Sequence, residues 1–521
     1  MRKTMLKALC LITAALMLAA VIPLNVLAEP VRAVPAGYNE HDFNCVRSFL
    51  NATAEDGRSN GRVLSSNYDQ WDPNTWGTKD GLPRFRWEQY DGELHLAYLD
   101  ASGASCRLSG PLLISDCVRL AHIDCADNAI QIFHTENDPE LTYLDYSNNS
   151  QILRSLDVST SPKLEYCDCS NNGVQTVDMS SNPELTYLNC SGNMTQSLNV
   201  SNNHKLEYLG CAGAYAEEID TSGCPLLRTL DAAGCYNVSE YDLSNNTLLE
   251  YVDLRNNFLT ALDVSMLPEL IELNVSGNYI EQLDVSHNPA LKKLNCGGNS
   301  YLSALDVSNC PELMELVCES NEIGQLDVSH NPMLEVLICS RNPLTELDLS
   351  QNRLLYALEC LYCELGTIDL RSNPELPLNY VRVSGSGTVG YSLLTGTEYD
   401  QGRPAFVNAF STESNFVGWY DAAGELVSEN GFMFFFDEAS GGLTALFSDG
   451  QVPGPQPDLP GDVDGDGEVT VADALLALRA SMGLVELNDE QQAAANVDGD
   501  EEITVADALL ILRASMGLLE L

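Results

Sequence analysis

Positive charge is scarce in this chain: 26 Lys and Arg stand against 75 Asp and Glu over 521 residues, a net charge of −49. Nucleic-acid binding needs clustered Lys and Arg to neutralise phosphates, so that class of partner is excluded, and adsorption to anionic lipid is disfavoured. Long apolar runs are also missing. Beyond residue 28 no stretch reaches the roughly 18 apolar residues of a membrane span. With no C-terminal hydrophobic tail or basic stop signal, anchoring is expected to be non-covalent or absent. No Ser/His/Asp arrangement, phosphate loop or catalytic metal motif is found. Cys360-x-x-Cys363 stands alone, without a second pair and usable histidines for zinc. These gaps point away from an enzyme.

What is present begins with a leader. Arg2, Lys3 and Lys7 precede an apolar run through Leu24, and Val26-Leu27-Ala28 closes on a small residue, the pattern of a secretory signal peptide over 1–28. The mature chain is expected to start near Glu29 and to work as a secreted, extracellular or surface-associated protein. Its acidity would help keep it soluble there.

A fixed period dominates the middle. Leucines fall at 120, 141, 164, 185, 206, 227, 249, 270, 291, 313, 334, 355 and 376, at intervals of 21 to 23. Such a period signals a solenoid whose turns bury their apolar faces only against one another. Leu291, Leu294 and Cys296 alternate as on a short strand, and a 21-residue turn leaves room only for extended or 3₁₀ returns. The unit reads Leu-x-x-Leu-x-(Cys/Val/Leu)-Ser-x-Asn followed by Leu-Asp-Val-Ser-x-Asn-Pro. This resembles the leucine-rich repeat family, especially short bacterial internalin-like forms, over residues 106–384. Asparagines at the ninth position (Asn128, Asn149, Asn172, Asn193, Asn257, Asn278, Asn299, Asn321, Asn342) can bond the bent backbone leaving each strand, with Ala214, Cys235 and Cys363 as interruptions.

Of the 17 cysteines, eight (Cys125, Cys169, Cys190, Cys211, Cys296, Cys318, Cys339, Cys360) share one inward site, where Val275 and Leu254 sit in other turns. They read as buried free thiols replacing small apolar residues, although neighbouring turns also bring some within disulfide range. Cys45, Cys106, Cys117, Cys224, Cys235, Cys310 and Cys363 are the better candidates for pairing.

Two columns should project onto the concave sheet. One carries Tyr143, Tyr166, Tyr187, Tyr208 and Tyr251; the other carries Asp145, Asp168, Asp231 and Asp253 among amides. Tyrosine offers apolar area with a polar tip, suited to a protein hot spot or to a sugar ring. Tyrosines also favour exposed strand positions and touch along a ladder without any ligand. The column loses its tyrosines at Glu272, Lys293, Glu315, Val336 and Ala357, which places a site in the first half.

The flanks differ. Residues 29–105, with Trp71, Trp76 and Trp87, read as an irregular N-terminal cap, alternatively a small sugar-binding unit, and Trp87–Leu99 alternates like a strand. Residues 385–450 resemble the small β-grasp-type repeat that follows leucine-rich repeats in some bacterial surface proteins. Pro453, Pro455, Pro457 and Pro460 then mark 451–460 as an extended linker.

The tail, 461–521, carries one calcium-binding pattern twice. Asp462, Asp464, Asp466, Glu468, Thr470 and Asp473 hold loop positions 1, 3, 5, 7, 9 and 12, and Asn496, Asp498, Asp500, Glu502, Thr504 and Asp507 repeat them. Each loop runs into a helix, expected over Thr470–Leu484 and Thr504–Leu518, and the two differ only at Ala477 and Ile511. Loop–helix units in tandem with Asp at position 12 and prolines before the first loop resemble the type I dockerin. The resemblance implies two Ca2+ sites, with Glu468 and Glu502 ligating through their carbonyls and the threonines through water. It also implies a cohesin-type partner contacted by Val471, Ala472 and Arg479, mirrored by Val505, Ala506 and Arg513. Glu501 stands where the loop needs glycine, so the second site is expected to be weaker. Val471, Ala474, Leu475, Leu478 and Met482 follow helical spacing, as do Val505, Ala508, Leu509, Leu512 and Met516, and are expected to be mostly core.

The chain is thus expected to be multidomain: a leucine-rich-repeat solenoid, a small β module and a helical calcium-binding dockerin-like domain. The leading reading is a non-catalytic adaptor on a cellulosome-like scaffold or cell surface, its solenoid binding protein or glycan. Dockerin resemblance also admits a polysaccharide-degrading cellulosomal component, and a third reading is a free adhesin contacting host proteins.

Overall fold

The computed structural model describes residues 32–149, 156–394, 397, 405–412, 414–434, 442–450, 459–464, 469–498, 503–516 and 518–519. The leader and most of the linker lie outside the described residues, as do Asp466, Glu468, Asp500, Glu501 and Glu502.

The period becomes a sheet of three-residue strands. From His122–Asp124 through Tyr143–Asp145, Tyr166–Asp168 and onward to Ala357–Glu359, each strand pairs in parallel with the next, in constant register. The middle residue of each is buried: Ile123, Leu144, Cys167, Leu188, Leu209, Leu230 and so on to Leu358. The returns are turns with occasional short strands, such as Thr176–Asp178 beside Ser197–Asn199. Pro73–Thr75 in the cap is the only 3₁₀ segment among the described residues, so of the expected extended or 3₁₀ returns the chain uses extended segments and turns.

Two asparagine ladders hold the turns in register. The anticipated one runs along the strand exits: Asn299 Nδ2 donates to Val275 O (3.0 Å) and Cys296 O (2.9 Å), while its Oδ1 accepts the Ile280 N–H (3.0 Å). A second uses the Asn of the Asn-Pro motif. Asn288 Nδ2 donates to Val264 O and Leu267 O, and Asn352 to Val328 O and Asn331 O. This pairs buried backbone groups that no strand partner reaches.

The ladders explain the cysteines. Every cysteine of the described residues is a free thiol, so the expected pairing of Cys45, Cys106, Cys117, Cys224, Cys235, Cys310 and Cys363 is not found. Cys235 and Cys363 replace asparagines of the first ladder and donate to the equivalent carbonyls, Cys211 O at 3.4 Å and Cys339 O at 3.5 Å. Cys224 and Cys310 do the same in the second, to Val200 O and Val285 O. Their thiols act as weak donors where an amide would otherwise stand.

The cap is built on the helix Glu40–Asn51, capped by Asn39 and carrying Glu40 and Asp42 in its first turn. Phe43 packs among Tyr38, Trp71, Trp76 and Trp87. The hairpin Phe85–Tyr90/Glu93–Asp100 then extends the solenoid sheet by pairing in parallel with His122–Asp124. This strand covers the open end. At the other end, Thr388–Leu393 pairs antiparallel with Ala357–Glu359 and continues the sheet. A five-stranded sheet of Thr367–Asp369, Tyr380–Ser384, Gly442–Phe447, Phe416–Tyr420 and Leu426–Ser428 packs Trp419 inside, with no helix among its described residues.

Candidate functional site

The strand register puts the tyrosine column in contact. Tyr143, Tyr166, Tyr187 and Tyr208 stack at 4.4 Å between ring centroids, within 8° of parallel. The stack is longer than the sequence showed. His122 lies 4.2 Å from Tyr143, Tyr98 lies 4.1 Å from His122, and the Arg86 guanidinium sits 3.3 Å over Tyr98. Six rings capped by one cation form a continuous pile. Burial lowers the His122 pKa, which favours a neutral imidazole. Tyr251 stands outside the pile, separated by Thr229.

This geometry decides what the pile can do. The inner rings spend both faces on one another, which leaves edges and hydroxyls for a ligand and no open platform for a sugar. Beside it run Asp100, Asp124, Asp145 and Asp168, then Asp231 and Asp253. Burial pushes the carboxyls of Asp145 and Asp253 upward. Cations answer this row at its two ends: Lys79 lies 3.2 Å from Asp100 and 3.7 Å from Asp124, Arg84 lies 3.3 Å from Asp100, and Arg255 lies 3.4 Å from Asp253, whereas Asp145, Asp168 and Asp231 have no salt bridge among the described residues. Farther on, a depression of about 330 Å3 is lined by Asp231, Tyr251, Asp253, Arg255 and Lys293 among others. At its far end the column is covered: Val336 and Ala357 are buried with Val317 and Ile338, with Tyr356 and Leu394 packed on them, whereas Glu272, Lys293 and Glu315 keep surface exposure.

A second aromatic row was not anticipated. Met194, Tyr215, Tyr236, Phe258, Tyr279 and Tyr301 follow the first ladder and are all exposed. Their signal was a large apolar or aromatic residue just after the ninth position from Met194 to Tyr279, with Tyr301 one residue later, after Ser300.

In the tail, the helices Val471–Ser481 and Val505–Ser515 are shorter than expected, each capped by a threonine. A third helix, Asp489–Ala495, lies between them, announced by the Asn488/Gln491 capping box. Asp473 is buried: Oδ1 accepts the N–H groups of Val463 (2.8 Å) and Asp464 (3.0 Å), and Oδ2 accepts Thr470 N–H (2.8 Å) and Oγ1–H (2.9 Å). Asp507 repeats this with Val497, Asp498 and Thr504. Burial raises both carboxyl pKa values, but the backbone hydrogen bonds win and the net shift is downward. Carboxylate oxygens of Asp462, Asp464 and Asp473 lie within 4.8 Å of one another. That all-oxygen set fits a hard cation such as Ca2+, which would draw the acidic loop together when bound. In the second loop Asn496 and Asp498 are described, the first offering an amide oxygen in place of a carboxylate.

The expected core is corrected. Ala474, Ala477, Ala508 and Ile511 are buried, with Leu478 and Leu512 partly so. Val471 (59 %), Leu475 (46 %) and Met482 (54 %) are exposed, and so are Val505 (60 %), Leu509 (56 %) and Met516 (54 %). The helices pack through Ala474, Ala477, Ala508 and Ile511, which leaves these other apolar residues facing outward. Ala472, Arg479, Ala506 and Arg513 are also exposed.

Residues 460–514 match the profile of the Dockerin type I domain family. The C-terminal unit is a type I dockerin. Dockerins of this type bind calcium and pair with cohesins in cellulosome-type assemblies, and proteins bearing them are typically extracellular or at the cell surface. Among solved structures, the chain is similar to the functional domain of InlJ from Listeria monocytogenes, which includes a cysteine ladder (25% identity, 66% of this chain and 90% of that one, TM-score 0.42). It is also similar to the leucine-rich-repeat protein LIC12759 of Leptospira interrogans (22%, 48% and 67%, 0.41) and to the leucine-rich effector YopM of Yersinia pestis (25%, 48% and 68%, 0.40). A search of curated protein sequences gave no match. The solenoid itself is established by its strand register. No helix among the described residues is long and apolar enough to cross a membrane.

Proposed function

We propose that this protein is a secreted, non-catalytic adaptor whose dockerin docks on a cohesin-type module of a scaffold or cell surface. The solenoid would present its concave face to a second protein. The observation that carries the docking half is the matched pair of exposed apolar sets, Val471/Leu475/Met482 and Val505/Leu509/Met516, around Arg479 and Arg513. Exposed apolar clusters of this kind mark interaction sites. For the solenoid, the middle of the carboxylate row, where Asp145, Asp168 and Asp231 have no salt bridge among the described residues, favours a basic segment of a protein partner, held by acids and phenol hydroxyls together. The proposed contacts are Tyr143, Tyr166, Tyr187, Tyr208 and Tyr251 with Asp145, Asp168, Asp231 and Asp253.

Pull-down from culture fluid in calcium, with and without residues 461–521, tests the docking half. Calcium-dependent capture of a cohesin-bearing protein that disappears on truncation is expected; capture surviving truncation would refute it. Glycan binding is favoured by a different observation, the exposed row Met194 to Tyr301, where Phe258 and Tyr279 are the one stacked pair of rings among the described residues. Retention on a polysaccharide column lost on Tyr215→Ala/Tyr236→Ala would select that reading. Hydrolysis of a plant-wall glycan panel would instead make the protein an enzyme.

A further inference from the structure

We propose that His41, Cys45 and Cys117 form a binding site for a zinc-class divalent cation, at the seam between the cap and the first solenoid turn. The three are brought together by the fold. His41 and Cys45 stand four residues apart on the helix Glu40–Asn51, so they share one face. Cys117 comes from the turn before His122–Asp124, where its N–H donates to Asp138 Oδ1 at 2.8 Å. One ligand atom from each lies within 4.8 Å of the others.

The spacing suits the ion. His41 Nε2 is 3.5 Å from Cys45 Sγ, a hydrogen-bond distance. In a tetrahedral zinc site, with Zn–S about 2.3 Å and Zn–N about 2.0 Å, nitrogen and sulfur also stand about 3.5 Å apart. An ion could therefore bridge the two atoms once the His41 ring turns its Nε2 away from Ser115 O. Nε2 also contacts Ser115 O at 2.7 Å, and His41 is exposed, so its ring is free to exchange that bond for the metal. Burial is graded, with Cys117 buried, Cys45 half-buried and His41 exposed, so the fourth coordination position opens toward water.

The donor set selects the metal. Two sulfurs and an imidazole nitrogen are soft to borderline ligands that prefer zinc over calcium, whereas the dockerin loop offers oxygen. On binding, each thiol forms a bond to the metal and releases its proton to water, so two protons leave and M2+ with two thiolates is neutral. Asp42, Asp116 and Asp138 stand nearby and favour a cation over an anion. The bound ion would tie the cap helix to the solenoid's first turn.

The experiment is a Co2+ titration of the full-length protein with Ca2+ present throughout, so that the dockerin stays loaded. Thiolate-to-cobalt charge-transfer bands and tetrahedral d–d bands should saturate at about one equivalent per chain and be displaced by Zn2+. They should vanish in Cys45→Ser and in Cys117→Ser, persist in Cys106→Ser, and need at least about tenfold more Co2+ in His41→Ala. Should a cysteine variant misfold, alkylation of the wild type decides: Zn2+ should protect Cys45 from iodoacetamide and leave Cys106 reactive. A spectrum without charge transfer, unprotected Cys45, or a Cys45–Cys117 disulfide in the protein as first isolated would overturn the proposal.

Discussion

Truncating one rung of the first ladder tests what holds the solenoid in register. Asn299→Ala removes three hydrogen bonds from a fully buried site. The two carbonyls are not orphaned, because Val275 O keeps Asn278 Nδ2 (2.9 Å) and Cys296 O keeps Asn321 Nδ2 (3.1 Å). The Ile280 N–H loses its acceptor. A buried unsatisfied donor costs about 1–3 kcal/mol and each of the other two hydrogen bonds about 1 kcal/mol, so the loss should be about 3–5 kcal/mol. Asn299→Cys should recover about 1 kcal/mol of this, because Cys235 and Cys363 show that a thiol in this place reaches the carbonyl of the preceding turn. Asn299→Asp keeps an acceptor for Ile280 but sets a carboxylate against carbonyls, so it should be the worst of the three at neutral pH and improve in acid. Repeat arrays need not unfold in one step. The measurement is therefore native-state hydrogen exchange of the strands Glu272–Asn274 and Lys293–Asn295, together with the urea midpoint. An alanine variant within about 1 kcal/mol of wild type, or a cysteine variant no better than alanine, would refute the reasoning.

The remaining predictions concern the pile and the dockerin. His122 has a folded pKa below its ordinary value, so its contribution is present above pH 6.5 and is lost as pH falls from there through the lowered folded value. Wild-type stability should fall by up to about 1.4 kcal/mol per pH unit more steeply in that window than that of His122→Tyr, which keeps the stack without titrating; parallel melting curves would contradict this. Stepwise calorimetry with Ca2+ should resolve a tight and a weak site, the weak one assigned to the second loop by its loss in Asp507→Ala; two equal sites would contradict the effect assigned to Glu501. Leu475→Glu or Leu509→Glu alone should change cohesin affinity less than about threefold, and both together should abolish binding, because the two helices present matching faces. A large loss from either single change would exclude two equivalent docking modes.

Much of this was legible because the repeat is strict. A constant period sets the strand register, and the register alone stacks Tyr143 on Tyr166 on Tyr187 on Tyr208. The sequence did not disclose that His122 and Tyr98 extend the pile, since one is not a tyrosine and the other lies in the cap, ahead of the periodic leucines. Four cysteines were misread by residue type. Cys235 and Cys363 hold asparagine positions of one ladder, Cys224 and Cys310 those of the other, and position was the better guide to a donor's work. The helix Glu40–Asn51 carried its own signs, an Asn39 cap and apolar residues at Phe43, Val46, Phe49 and Leu50, but sat in a segment read for its tryptophans.

The dockerin failed differently, and its failure is informative. Helical spacing assigned Val471, Leu475 and Met482 to the core, as it would in any self-contained domain. The fold instead buries Ala474, Ala477, Ala508 and Ile511, half-buries Leu478 and Leu512, and leaves Val471, Leu475 and Met482 and their counterparts in water, although large apolar residues are usually buried. Small residues at a helix crossing let the backbones approach closely, which is one benefit of that choice. The other side of the choice, three large apolar groups exposed on each helix, gives this chain nothing by itself. The same three positions are exposed in both halves, so this is not a local accident of one helix. It is the arrangement expected of a surface whose burial is completed by another molecule, and it is why the double substitution, rather than either single one, is the decisive test of docking.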